Sequence, residues 1–270
     1  MTDGWCEARN GMGITRFLKP FPMSIRMYDP FMTPMKNSRN PWILAGIVAC
    51  GTLLSSLSAA TPGTDNSDQP AYKDGWANGA NGGTGFKPWA LTIPDPKDSA
   101  GCYVADTTKV GASDVNVNGR SFGMFGRVKG QNTEAIRLFD TPLEPGQSFS
   151  VDIKVNFRNG QKGFDLRGAD GKALFNLNIG GEDYVVNLAA TGNGSIGKDY
   201  SNATLFHLTF DQKTATEGTW TLVRSGTISK TATGSYTGDA AGFKFYVLEG
   251  VAVPEDDLAF NNLVITAKKP

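Results

Sequence analysis

The amino-acid sequence predicts an all-β protein: an antiparallel β-sandwich of the jelly-roll, lectin-like type, built from about a dozen strands. Apolar and polar residues alternate with a period of two over Gln147–Arg158 and over Phe175–Ile179, as in strands with one buried face. Turn sequences such as Asn159-Gly160 interrupt the apolar runs. No segment keeps a helical period over about ten residues, so the strand–helix alternation that builds a parallel sheet is missing.

The predicted strands are short runs rich in β-branched and aromatic residues, and Gly, Asn or Asp occurs between them. Turns about every 8–12 residues, without helical connections, favour two packed antiparallel sheets. In chain order the predicted strands are Phe86–Ile93, Cys102–Thr107, Ser121–Val128, Glu134–Phe139, Gln147–Arg158, Phe164–Arg167, Phe175–Ile179, Tyr184–Ala189, Leu205–Phe210, Thr219–Arg224, Thr227–Tyr236, Phe243–Leu248 and Leu258–Thr266.

Residues 35–60 are predicted to be a secretory signal peptide. Lys36 and Arg39 form a basic start, and the apolar stretch Trp42–Ala60 carries no charge and ends in small residues suited to cleavage. A retained anchor is the alternative, because a membrane-spanning helix needs about 20 apolar residues. We therefore expect a secreted, extracellular or periplasmic protein that has no stable membrane anchor after cleavage.

The rest of the N-terminal segment allows further interpretations. Residues 1–34 precede the basic start and are interpreted as a misannotated extension, with Met35 as the initiator. The stretch Ile47–Cys50 loosely matches a lipobox, which makes lipidation of Cys50 an alternative. Apolar residues continue beyond Cys50, whereas a lipoprotein would usually begin a polar tether there.

Charge and cysteine content restrict the partners of the remaining chain. Residues 61–270 contain 20 Lys and Arg against 23 Asp and Glu, so clustered cations for nucleic acid are missing. The stretch Gly192–Lys198 is similar to a phosphate loop, but Asp199 stands where a magnesium-binding hydroxyl belongs, which argues against a nucleotide. Cys102 is the one cysteine after residue 60, so no internal disulfide stabilises the domain.

Residues 61–84 have a composition unlike the rest of the chain. The segment is rich in Gly, Asn and Asp, which predicts a leader ahead of a β-sandwich domain at residues 85–270. Tyr72 and Trp76 lie within it, and large aromatic side chains are poorly suited to a flexible tether. We therefore expect the leader to pack partly on the domain.

Both ends of this region resemble known proteins. The block from Asp65 to Trp89, with Ala71-Tyr72-x-Asp74-Gly75-Trp76 at its centre, resembles the opening of secreted β-sandwich modules of environmental bacteria. Asp257-x-x-Phe-Asn-Asn-Leu-x-Ile265 resembles their closing strand. These modules are broadly similar to concanavalin-A-like lectins and glucanases and to jelly-roll carbohydrate-binding modules. The resemblance implies the fold far more than the function, and the partner that we expect is a polysaccharide or cell-surface glycan.

Catalytic motifs are weak. His207 is the one histidine of the chain and lies on the polar side of its predicted strand, and no Gly-x-Ser-x-Gly elbow accompanies it. The Glu-x-Asp-x-x-Glu strand of laminarinase-type glucanases is also missing. We therefore expect non-catalytic glycan binding. The alternatives are a structural or matrix protein of the cell surface without a dedicated ligand and, less favoured, a polysaccharide lyase or hydrolase.

Sugar binding combines an aromatic platform with amide, carboxylate and guanidinium groups that pair with hydroxyls. Polar faces of the predicted strands and two aromatic side chains supply such groups. Tyr246 has a second interpretation, burial on the other face of its strand, and Trp89 and Trp220 are predicted to be core residues. The candidate ligand-binding residues are Asp152, Asn156, Arg158, Asn176, Asn178, Tyr246 and Trp76.

A structural calcium ion is the predicted cofactor. Hard cations need several oxygen ligands, and acidic residues occur just before the first and last strands. The candidate ligands are Asp65, Asp68 and Asp257. Ordinary solvated acidic loops are the alternative, because neither cluster has EF-hand spacing.

Overall fold

The computed structural model describes residues 62–94, 99–157, 159–180, 183–198 and 204–266. The predicted signal peptide at residues 35–60, the extension at residues 1–34 and the candidate residue Arg158 lie outside these ranges. None of the helices in the described part of the chain is long and apolar enough to cross a membrane.

The predicted all-β fold is confirmed. The described residues form two antiparallel β-sheets of a jelly-roll sandwich, joined by loops and by short 3₁₀ turns. The strands are β1 (Gly63–Asp65), β2 (Ala90–Thr92), β3 (Ala100–Ala105), β4 (Ser121–Gly126), β5 (Asn132–Leu138), β6 (Ser148–Val155), β7 (Gln161–Gly168), β8 (Ala173–Gly180), β9 (Tyr184–Asn187), β10 (Gly194–Gly197), β11 (Thr204–Gln212), β12 (Glu217–Ser225), β13 (Lys230–Thr237), β14 (Ala240–Leu248) and β15 (Leu258–Thr266).

Strands that are distant in sequence lie side by side in both sheets. The eight-stranded sheet has the order β13-β12-β11-β6-β15-β4-β3, and β1 also pairs with β15. The seven-stranded sheet has the order β10-β9-β8-β7-β14-β5-β2. In the second sheet, β14 therefore lies between β5 and β7 and brings their outward-facing side chains together.

The core lies between the two sheets and is rich in aromatic rings. Strand β6 buries Phe149, Val151, Ile153 and Val155 completely, as its period of two predicts. The ring of Phe149 stacks on that of Phe243 in β14 with a centroid distance of 4.9 Å, which joins the sheets across the sandwich. Burial of large apolar side chains at about 25 cal/mol per Å² is the main stabilising contribution in such a core.

The segment that was predicted as a leader packing partly on the domain contributes a strand and two aromatic side chains to the sandwich. Strand β1 pairs with the end of β15, and Tyr72 and Trp76 are buried in the core. Asp65 forms a fully buried ion pair with Arg137 of β5. Composition alone does not show this packing, because Asp65 in this polar stretch bonds to Arg137 and Tyr72 instead of to water.

Asn261 and Asn262 of β15 connect separate parts of the chain. The register of β15 against β6 shifts between Asn261 and Val264, and Asn262 adopts a left-handed backbone with φ of 58°. The buried Asn261 amide donates hydrogen bonds to the carbonyl oxygens of Val115 and Arg120 at 2.9 and 3.0 Å. Its oxygen accepts the backbone N–H of Ser67 at 3.0 Å. These bonds join the N-terminal segment, a central loop and the last strand.

Candidate glycan-binding site

The outer face of the seven-stranded sheet carries an ordered array of polar side chains. The cross-strand registers of β5, β14, β7, β8 and β9 align the residues into rows. One row consists of Glu134, Tyr246, Gly163, Asn178 and Val185. The neighbouring row consists of Ile136, Lys244, Asp165, Asn176 and Asn187. We call these two rows together the platform face.

Tyr246 lies at the centre of the platform face with its ring above Gly163. A Cβ atom on Gly163 would come within 2.7 Å of the Tyr246 hydroxyl and 2.0 Å of the Leu177 carbonyl oxygen. A side chain at position 163 would therefore lift the ring away from the sheet. The Tyr246 hydroxyl also accepts a hydrogen bond from Asn176 Nδ2 at 3.0 Å, which holds the ring in this position.

Burial raises the pKa of Tyr246 to about 12, so the phenol stays protonated at physiological pH. Because its oxygen accepts from Asn176, its O–H proton can be donated to another acceptor. The high pKa also makes Tyr246 a poor general base. The ring is therefore suited to packing and hydrogen bonding.

The amides beside Tyr246 are held by one another. Asn187 Nδ2 donates to Asn176 Oδ1 at 3.1 Å, and Asn176 Nδ2 donates to Asp165 Oδ1 at 2.7 Å. These bonds run across β9, β8 and β7 and fix the orientation of each group. A ligand that binds here meets polar groups whose positions are already set, which lowers the entropy cost of binding.

Lys244 lies between two carboxylates on the same face. Its Nζ is 3.2 Å from Glu134 Oε1 on β5 and 3.3 Å from Asp165 Oδ2 on β7. The ammonium also lies 5.4 Å from the centroid of the Tyr246 ring, within the range of a cation–π interaction. All three charged side chains are more than three-quarters buried.

A shallow depression of about 320 Å³ lies over this part of the sheet. Leu188 stands at its rim with 63 % of its surface exposed. The lining therefore offers an aromatic ring, aliphatic side chains and amides in one place. Its residues are Asn132, Gln161, Asp165, Asn176, Leu188, Lys244, Tyr246 and Leu248.

Three of the predicted ligand-binding residues come together on the platform face. Asn176 and Asn178 point outward from β8, and Tyr246 does so from β14 two strands away. The sequence did not predict Glu134, Asp165 and Lys244 as site residues. The period of two placed Lys244 on the same face as Tyr246, whereas its two acidic partners needed the strand order β5-β14-β7.

Trp76 was predicted as a platform residue, and that prediction is wrong. Only 5 % of the side chain is exposed, and it packs edge-to-face on Trp89 with centroids 4.8 Å apart. It also contacts Phe122 and Phe260 of the eight-stranded sheet. Trp89 and Trp220 lie in the core as predicted.

Asn156 is buried and does not face solvent. Its Nδ2 donates a hydrogen bond to the Val110 carbonyl oxygen, and the close approach of Gly111 covers it. The neighbouring Lys154 is also buried, through an ion pair with Asp114. The outward positions at the end of β6 are covered by the loop at residues 107–115, which the alternation alone could not show.

Asp152 lies on the outer face of the other sheet. Its Oδ1 is 2.6 Å from His207 Nδ1, and its Oδ2 accepts from Asn262 Nδ2 at 2.8 Å. His207 Nε2 lies 3.3 Å from the Thr209 hydroxyl. This Asp–His–Thr arrangement is exposed on a strand face, and it contributes nothing to the platform face.

The predicted calcium ligands lie in separate networks. The carboxylate of Asp65 is fully buried with Arg137 and accepts the Tyr72 hydroxyl at 2.5 Å. Asp257 pairs with Arg127 at 3.1 Å, and Asp68 accepts from Asn118 at 2.5 Å. The described residues contain no group of three or more His, Cys, Asp or Glu side chains that could hold a metal ion. The three carboxylates thus bond to three different sets of partners, and calcium binding stays a prediction.

Comparison with known proteins does not assign the chain to a family. No family model matches it, and no curated protein matches it by sequence. Among solved structures it is similar to the polysaccharide lyase family 7 alginate lyase AlgAT5, with a TM-score of 0.38 and 11 % identity over 67 % of this chain and 94 % of that chain. It is also similar to a carbohydrate esterase of the Shiga toxin-encoding bacteriophage phi24B, with a TM-score of 0.39 and 11 % identity over 67 % and 90 % of the two chains.

A third similar structure is the metal-free carbohydrate recognition domain of Emp46p, with a TM-score of 0.33 and 9 % identity over 66 % of this chain and 87 % of that domain. These scores and identities are too low to carry a function from one protein to another. The function of this chain has to be argued from its own side chains.

Proposed function

We propose that this protein is an exported, non-catalytic glycan-binding module and that the platform face binds the sugar. The observation that carries the proposal is the Tyr246 ring, which lies over Gly163 among amide and carboxylate groups. An aromatic face packs against the apolar face of a pyranose ring, and fixed amides and carboxylates pair with its hydroxyls. The predicted signal peptide at residues 35–60 supports an extracellular polysaccharide as partner.

The shape of the site fits a chain polymer. The depression is shallow and lies across several strands, and the aligned rows extend the polar surface over five of them. A polysaccharide presents successive rings with similar hydroxyl patterns, so an elongated surface can contact more than one ring. A small ligand would instead favour an enclosed cavity.

Hydrolysis is a weaker proposal at the same face. Glu134 and Asp165 are the residue types that glycosidases use as an acid and a nucleophile or base. Lys244 lies between them and forms an ion pair with each carboxylate, so both groups are already engaged by the protein. The geometry therefore favours binding over bond cleavage.

The test is the Tyr246→Ala variant in a binding assay against a panel of soluble polysaccharides. We expect at least about a fivefold loss of affinity, since a stacking aromatic ring contributes about 1–3 kcal/mol. Tyr246→Phe keeps the ring and should retain most of the binding. Thr221→Ala on the outer face of the other sheet is the matched control, and it should bind like wild type.

Two results would contradict the proposal. Wild-type protein that binds none of the polysaccharides would favour a structural domain without a dedicated ligand. Release of reducing ends from a bound polysaccharide, abolished by Glu134→Gln, would show a hydrolase instead of a binding module. Circular dichroism of each variant checks that a loss of binding is not a loss of fold.

A further inference from the structure

The charges of the platform face bear on the class of sugar that it accepts. Among the residues that line the depression in the described part of the chain, Lys244 is the single cation. Glu134 lies beside it in the neighbouring row and Asp165 in the same row. These two carboxylates against one ammonium leave the surface around Tyr246 with a net negative charge.

The ammonium of Lys244 already forms ion pairs within the protein. Both carboxylates lie within 3.3 Å of its Nζ, and its side chain is 19 % exposed. To pair with an acidic sugar, Lys244 would have to leave at least one of these partners. An acidic sugar would also bring its own negative charge close to Glu134 and Asp165, where partial burial weakens the screening by water.

Among the residues that the structure describes, an arginine on the outer side of β7 is also engaged by the protein. Arg167 lies two positions beyond Asp165 on β7, and its Nε donates to the carbonyl oxygen of Gly171 at 2.7 Å. This bond turns the guanidinium toward the β7–β8 turn. Arg167 is therefore not positioned for the bidentate recognition of a carboxylate at the platform face, for which arginine is suited.

The remaining polar groups are uncharged amides. Asn178 lies in the row of Tyr246, and Asn176 and Asn187 lie in the row of Lys244. Asn132 and Gln161 pair with Leu248, which also lines the depression. An amide both donates and accepts hydrogen bonds, as a sugar hydroxyl does. The pairing of amides with hydroxyls requires no charge on the ligand.

We infer that the platform face selects neutral polysaccharides and rejects polymers of uronic acids. The inference rests on the proposed function, because it specifies the sugar class of the same site. Selection arises from the two carboxylates that hold Lys244 and repel an acidic ligand. Specificity of this kind depends on a repulsive element as much as on attractive contacts.

The experiment is affinity electrophoresis of the wild-type protein in two sets of gels. One set contains neutral polymers (a soluble β-glucan, a galactomannan and a xylan), and the other contains alginate or polygalacturonate. We expect at least one neutral polymer to retard the protein and the uronate polymers to leave its mobility unchanged. Retardation by the neutral polymer should persist at high salt, because ion pairs do not contribute to it.

A charge variant tests the repulsion directly. Glu134→Gln combined with Asp165→Asn removes both carboxylates and leaves Lys244 without them. We expect this variant to gain at least a tenfold higher affinity for alginate, and we expect the gain to disappear at high salt. Adding Lys244→Gln to these two substitutions should abolish the gain in affinity. That result would show that the gain comes from the ammonium of Lys244 and not from a general change in the surface.

The outcomes separate this inference from the proposed function. Wild-type binding to a uronate polymer that Tyr246→Ala abolishes would overturn the neutral selectivity and leave glycan binding in place. Absence of binding to both sets would overturn the proposed function and the inference with it. A charge variant that folds but gains no affinity for alginate would show that the carboxylates do not set the selectivity.

Discussion

Arg137 of β5 and Asp65 of β1 form an ion pair that is completely removed from solvent. The guanidinium also donates to the carbonyl oxygens of Lys87 and Gly82 at 2.9 and 2.8 Å. Its carbon lies 4.8 Å from the ring centroids of Phe86 and Trp89. One arginine thus joins the N-terminal segment to the sandwich by charge, hydrogen bonds and aromatic contact.

We expect the ion pair of Asp65 and Arg137 to stabilise the fold only when both residues are present. Asp65→Asn leaves the buried guanidinium without its counter-charge, and we expect a loss of about 3–5 kcal/mol in the free energy of unfolding. For a domain of this size that corresponds to a melting temperature lower by on the order of 10 °C.

The control for the Asp65 prediction is a double variant with apolar residues at both positions. Asp65→Leu with Arg137→Met should recover much of the loss, because an apolar pair needs no counter-charge. Urea unfolding of the single and double variants measures the coupling. Equal destabilisation by Asp65→Asn and by the double variant would show that packing, rather than charge, makes the contribution.

Strand β6 should tolerate change on one face only. Ile153→Asp places a carboxylate without a partner in the core, and we expect a loss of several kcal/mol, enough to unfold a typical domain. The adjacent Asp152 has a partly exposed side chain, so Asp152→Ala should cost about 1 kcal/mol or less. Thermal melts of the two variants compare the faces, and similar melting temperatures would mean that the register of β6 is wrong.

His207 should titrate at a higher pH than an ordinary histidine. The hydrogen bond with Asp152 raises the pKa of His207, and burial opposes this effect. The folded state therefore holds the proton more tightly than the unfolded state. The stabilisation is fully present below pH of about 6.5 and is lost as the pH rises through the folded pKa.

The measurement is simple because the chain has one histidine. In untagged protein, one imidazole resonance in an NMR titration reports the pKa of His207. Asp152→Asn removes the negative charge and should move this pKa down toward the ordinary value. An unchanged midpoint in that variant would mean that the bond of 2.6 Å does not form in solution.

Asp257 should make the protein less stable as the pH rises from about 4 to about 6. Burial raises the pKa of Asp257 to about 6 from an ordinary value of 3.8, although the Tyr103 hydroxyl and Arg127 both lower it. Between these values the folded state binds more protons than the unfolded state, so the free energy of unfolding falls with increasing pH. Urea titrations at several pH values measure this slope.

Asp257→Asn is the control for that slope. The amide does not titrate, and the difference in stability between wild type and variant should therefore change across the window and become constant above pH of about 6. Asp256 lies next to it and also has a pKa raised by burial, so the comparison with the variant isolates the share of Asp257. A difference that stays constant over the whole range would contradict the raised pKa of Asp257.

The sequence by itself determined the class of fold and the interior of its best strand. The period of two in β6 placed Phe149 and Ile153 inside correctly, because alternation along a strand is a local property. It also placed Asn176 and Asn178 outward on β8, whereas it left burial on a second face open for Tyr246, which the structure places outward on β14. Local pattern is sufficient to tell which side chains share a face of one strand.

Only the tertiary structure decided which strands become neighbours and which of their polar faces stay exposed. Asn156 and Asp152 occupy polar positions in an alternating pattern, as Asn176 does. However, a loop covers Asn156, and Asp152 lies on the eight-stranded sheet, away from the platform face. Trp76 lies in a polar stretch, yet the buried pair of Asp65 and Arg137 brings that stretch into the fold. Strand order joins residues from distant parts of the chain, and no local period encodes it. The platform face exists because β14 inserts between β5 and β7 and places Lys244 between two carboxylates.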